Sequence, residues 1–180
     1  MSISAGTYRL GPADGTLALR TGRAGAAAKA GHDLLIHVDA WEAVLEVGAD
    51  GASGSLTVDV DSSSLRVVEG TGGLMPLGDD DRSDIKKTID DEILKRQPVT
   101  FRSTRIAPAA DGLSVSGDLT LLGTARPVAF DLAAGADGAL TAAATLTQSD
   151  WGIKPYSALF GALKVADDVA VELDARLPQG

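Results

Sequence analysis

The chain has 180 residues, no cysteine, a net charge of −9 and only 4% aromatic residues. That length suits one domain with a real core, and the missing cysteines remove disulfides, thiolate metal sites and thiol nucleophiles together. So acidic and ring-poor a chain lacks the clustered cations and the stacking surface that nucleic acid needs.

The N-terminal stretch MSISAGTYRLGPADG has no basic n-region and no apolar h-region. No segment approaches the roughly 20 apolar residues of a membrane span. A soluble, cytoplasmic protein is expected. Period-two alternation then predicts strands at Thr16–Arg23, Leu34–Val38, Trp41–Val47 and Ser55–Asp61. The apolar register slips near Ala40: Ile36, Val38 and Ala40 share one parity, Trp41, Ala43, Leu45 and Val47 the other. A bulge or sharp bend there spares the chain a wholesale exchange of faces. Trp41, just past the bend, is expected to pack in the wall away from the site.

Glu69–Gly78 (EGTGGLMPLG) is glycine-rich and predicts a movable loop. The segment after it, DDDRSDIKKTIDDEILKRQ, places Ile85, Ile89 and Ile93 on one helical stripe. Acids gather at its start, Lys95 and Arg96 close it, and Pro98 follows, as the helix dipole and a clean stop prefer. From Val99 the alternation returns in four further strands, through Phe101, Leu113–Leu121, Val128–Leu132 and Leu140–Leu146. A last strand runs from Val169 to Leu177. Short turns between them make neighbours antiparallel. An apolar face this long has to curl around itself, into a sandwich or a closed barrel, and the bend at Ala40 favours the barrel.

Chemistry is hard to find. His32 and His37 are five apart, which on a strand sends them to opposite faces, so they do not share a metal. His32–Asp33 could orient a proton for acid–base work, but Gly31-His32-Asp33 reads equally well as a turn opening a strand. Ser83–Lys86 matches the four-residue S-x-x-K pattern without its companion motifs, and Ser83 sits where a helix cap belongs. Asp79–Asp81 fails the spacing of a calcium loop. By contrast, Trp151, Tyr156 and Phe160 crowd three rings into ten residues of an aromatic-poor chain, either as the rim of a site or as a core corner.

Three motifs resemble one known family. They are the helix followed by PVTFRST (Pro98–Thr104), the hairpin GDLTLLGTARPV (Gly117–Val128) and SDWGI (Ser149–Ile153). In this order and spacing they resemble the YceI-like, polyisoprenoid-binding proteins over roughly residues 6–177, and a soluble, actinobacterial-type subgroup within them. The resemblance implies an all-β fold, an eight-stranded antiparallel lipocalin-like barrel with one inserted α-helix, forming a single domain over residues 1–180. Eight strands leave interior for one small ligand. The expected function is to bind and sequester a long apolar ligand (isoprenoid, quinone or fatty-chain lipid) without chemistry. Residues expected to contact it are Val58, Val60, Phe101, Leu119, Leu121, Phe130, Leu146 and Leu173, with Trp151, Tyr156 and Phe160 at the rim and Lys154 or His32 at a polar headgroup. No catalytic residue, metal, cofactor, nucleic acid or membrane insertion is expected, and a homodimer stays open. Two alternatives stand beside this reading: a barrel filled by its own side chains and serving protein interaction or stress response, and a hydrolase using His32–Asp33.

Overall fold

The computed structural model describes residues 3–158, 161 and 163–178. Its strands are β1 (Gly6–Leu10), β2 (Gly15–Ala24), β3 (His32–Val38), β4 (Trp41–Val47), β5 (Gly54–Val60), β6 (Leu65–Gly72), β7 (Val99–Ala109), β8 (Gly112–Leu121), β9 (Thr124–Ala134), β10 (Ala139–Thr147), β11 (Ser157–Ala158) and β12 (Leu163–Arg176). Alternation makes them. In β4, Trp41, Ala43, Leu45 and Val47 are buried while Glu42 and Glu46 face water. All pair antiparallel in one sheet of order β1-β4-β5-β7-β8-β9-β10-β12-β2-β3-β6, with β11 on β12.

Among the described residues, twelve strands in a curled half-barrel therefore replace the closed eight-stranded barrel that the resemblance implied. The physical reason is breakage of long extended segments. A turn closed by Asp14 N–H on Gly11 O (2.9 Å) divides β1 from β2. Asp39–Ala40 divides β3 from β4, which is the bend the parity slip pointed to. A 3₁₀ turn at Ser62–Ser64, capped by Asp61 Oδ1 accepting from Ser63 N–H (2.9 Å), divides β5 from β6. The two bends are tied to each other: Asp39 N–H donates to Ser64 O (3.0 Å) and Asp61 N–H to Ala40 O (3.0 Å). Arg66 clamps Asp39 with two N–H bonds of 2.7 and 3.1 Å and holds its carboxyl below the usual carboxylate range. The ladder ends at β1 and β6, and the chain itself carries the sheet round the bends.

The helix α1 spans Asp79–Thr88, shorter than expected, and continues as a π-helical turn at Ile89–Ile93 in which Leu94 N–H reaches Ile89 O (2.8 Å). Its start is capped by Asp81, whose Oδ2 accepts from Gly78 N–H (2.9 Å), while Ser83 is exposed. Lys86 anchors it to the second bend, donating to Ser63 O (2.8 Å), Leu65 O (3.1 Å) and Asp90 Oδ2 (3.0 Å). The main core lines the concave face of the sheet, with Leu45, Val115 and Leu140 almost wholly enclosed. A second cluster gathers Leu121, Trp151 and Ile153.

Candidate ligand-binding cavity

The inward faces do not meet. They enclose a cavity of about 600 Å³, within the about 300–1,000 Å³ typical of small-molecule sites. Its composition changes along its length. Inward positions of β2 run Leu17, Leu19, Thr21, Arg23; those of β10 run Leu140, Ala142, Ala144, Leu146, with Gln148 beyond; β3 runs back from Val38 through Ile36 and Leu34 to His32. One end is thus leucine and alanine, and the other collects Arg23, His32, Gln148 and Lys164. Each side chain of that group can donate a hydrogen bond.

The polar end is built by close approach. Arg23 is held by Asp33 Oδ1 (3.0 Å) and Gly31 O (3.1 Å). The Nε2 of His32 lies 2.8 Å from Met75 O. His32 and Asp33 are therefore partnered away from each other, which leaves the proposed acid–base pair unformed. His37 lies on the opposite parity of β3, opposite Ala18, and does not line the cavity. Among the described residues no three His, Asp or Glu side chains gather as a metal site. Lys86, the basic member of the S-x-x-K pattern, is spent on the bend.

Of the expected contact residues, Val58, Val60, Phe101, Leu119, Leu121, Phe130, Leu146, Leu173, Trp151, Tyr156 and His32 all line this one cavity. Phe101 and Phe130 meet within it as tilted rings 5.5 Å apart. Phe160 lies outside the described residues. Lys154 is exposed and does not line the cavity; Lys164 does. Trp41, expected to pack away from the site, is buried and lines the cavity. Trp151 is fixed by its indole N–H on Leu119 O (2.9 Å). The helix closes one side of the cavity with Ile85 and Ile89, and the π turn swings Ile93 towards the Trp151 cluster. No helix among the described residues is long and apolar enough to cross a membrane.

Known proteins share this architecture. The structure is similar to that of BcnA from Burkholderia cenocepacia, with a TM-score of 0.63 and 18% identity over 89% of this chain and 94% of that one. It is similar to the YceI protein of Campylobacter jejuni, with a TM-score of 0.55 and 14% identity over 81% of this chain and 85% of that one. A mutant of the latter, solved with a monobromobimane guest, has a TM-score of 0.56, 14% identity and the same coverage. At these identities the likeness shows the fold alone. A comparison with curated proteins gives no match. The model of the YceI-like domain, however, matches residues 8–177, nearly the whole length, and the chain belongs to the YceI-like family.

Proposed function

We propose that this protein binds and sequesters one elongated apolar molecule, an isoprenoid, quinone or fatty-chain lipid, and carries out no chemistry on it. The observation that supports this most is the cavity of about 600 Å³ with an aliphatic far end and hydrogen-bond donors gathered at the other. The family is known for polyisoprenoid binding, which agrees with that shape. The molecule's chain lies along Leu17, Leu19, Ala142, Ala144 and Leu173, and its polar head meets Arg23, His32 and Lys164, the last in the role first given to Lys154. Burial of a chain at about 25 cal/mol per Å² supplies the binding free energy, and the walls change little because the cavity is already formed. A cytoplasmic site of action is part of the same proposal. An interior filled by side chains does not fit a void of this size.

The test narrows the cavity from within. Ala142→Trp projects an indole from the inward face of β10, between Leu132 and Leu173 in the ladder. Titration with farnesol or palmitate, read by displacement of an apolar fluorescent dye, is expected to weaken by at least about tenfold, or about 1.4 kcal/mol. Unchanged affinity in a folded variant would place binding outside the cavity.

A further inference from the structure

Three large apolar side chains stand exposed among the described residues, Leu74 (81%), Met75 (75%) and Tyr156 (48%), and all three belong to the polar end of the cavity. Scattered singly they would need no explanation; gathered at one mouth they do. The ladder brings them together. Lys164 stands opposite Ala24 on one side and Ser157 on the other, which seats the segment 152–164 beside the end of β2. His32 stands opposite Gly72 and its Nε2 lies 2.8 Å from Met75 O, which seats the loop 73–78 beside the start of β3. Residues 25–31 join β2 to β3 between them, and Ala30, Gly31, His32, Tyr156, Leu163 and Lys164 line the cavity there. The exposure is held in place. Leu77 packs on the main core and Met75 O meets His32, so the loop is pinned at two points while Leu74 and Met75 stay in solvent.

Charge follows the same boundary. The segments 25–31, 73–78 and 152–164 hold Lys29, Lys154 and Lys164 and none of the chain's 25 acidic residues, although the whole chain carries −9. All three lysines are exposed, and none forms an ion pair among the described residues. Asp33, Asp79, Asp150 and Asp167 stand just outside these segments in sequence, and Asp33 is taken by Arg23. An acidic body therefore carries a locally cationic rim tipped with leucine and methionine. Charges are screened beyond about 8 Å at physiological ionic strength, so acids farther down the body weigh little against the rim.

Cations beside exposed apolar tips suit an anionic bilayer surface, where headgroup phosphates take the ammoniums and the acyl boundary takes the side chains. We propose that this rim docks the protein on an anionic phospholipid bilayer. Leu74 and Met75 dip below the headgroups, Lys29, Lys154 and Lys164 rest against them, and the cavity opens onto the lipid phase. A bilayer is favoured over a protein partner because the rim surrounds the mouth of an apolar cavity, and molecules that fit such a cavity are themselves stored in bilayers. The purpose of docking rests on the apolar-ligand reading above, while docking itself is measured with no ligand present.

Sedimentation with vesicles tests it. The parent protein is expected to bind vesicles of equimolar phosphatidylcholine and phosphatidylglycerol at least about tenfold more tightly than phosphatidylcholine alone, and to be released as salt rises. Leu74→Ser combined with Met75→Ser should weaken binding to the mixed vesicles by at least about tenfold. Lys29→Gln and Lys154→Gln should each weaken it about fivefold. None of these four side chains lines the cavity, so farnesol affinity in solution should stay within about twofold in every variant, which also certifies the fold. A polarity-sensitive dye on Leu74→Cys, the one thiol in a chain without cysteine, should shift to the blue on mixed vesicles. The same dye on Ala52→Cys, in the β4–β5 turn, should not. A parent protein that ignores both vesicles or binds them equally, a serine pair that binds as the parent does, or a dye shift at Ala52 in place of Leu74 would overturn the docking alone. Vesicle binding without farnesol binding would leave the docking standing and remove the apolar-ligand reading instead.

Discussion

Lys86 shows how one side chain can hold a helix in place. Its ammonium donates to two carbonyls of the second bend and to Asp90, a carboxylate only 4% exposed. Removing the cation leaves that buried acid with Arg96 3.9 Å away as its remaining ion-pair partner. A buried charge stripped of its partner is costly, although Lys86 is itself 39% exposed and water softens the loss. Lys86→Met should lower unfolding stability by about 2 kcal/mol in urea. Adding Asp90→Asn should return part of it, because the stranded charge goes too. Nothing in the sequence signals this role, for Lys86 reads there as half of an S-x-x-K match. Lys154 lies on no strand, where alternation says nothing, and Trp41 departs from expectation for a related reason. Parity tells which face of a strand a residue takes, but not which part of the curved wall that face looks into.

At the scale of elements, alternation carried most of the strands, and the parity slip located the bend between β3 and β4 correctly. The break between β5 and β6 was invisible, since Ser62–Ser64 turns on a cap at Asp61 that many extended sequences could also form. The isoleucine stripe identified the helix but not its π turn, because i, i+4, i+8 spacing says nothing of the one-residue insertion that redirects Ile93. The glycine-rich segment proved partly strand, with β6 running through Gly72. Gly72 has φ +78°, and a Cβ there would collide with Nη1 of Arg23, a guanidinium already held by Asp33 and Gly31. Gly72→Ala should therefore cost about 2 kcal/mol, combining backbone strain with a displaced Arg23. Gly51→Ala, at φ +63° with open space around it, should cost about 1 kcal/mol from backbone strain alone. Urea unfolding of the two variants separates the contributions.

On the scale of the whole molecule, a sheet with one apolar face has curled without filling its interior. The small side chains of Ala142 and Ala144 leave room that larger residues would have occupied, and the helix supplies Ile85 and Ile89 on the side where the ladder ends at β6. What the proposal requires of this chain is a native occupant. The direct measurement is native mass spectrometry of the protein purified from its own host without detergent. One apolar molecule should accompany each chain, leave on organic extraction, and rebind to the stripped protein. A bare polypeptide mass, together with a stripped protein that takes up neither prenyl alcohols nor fatty acids, would contradict the account.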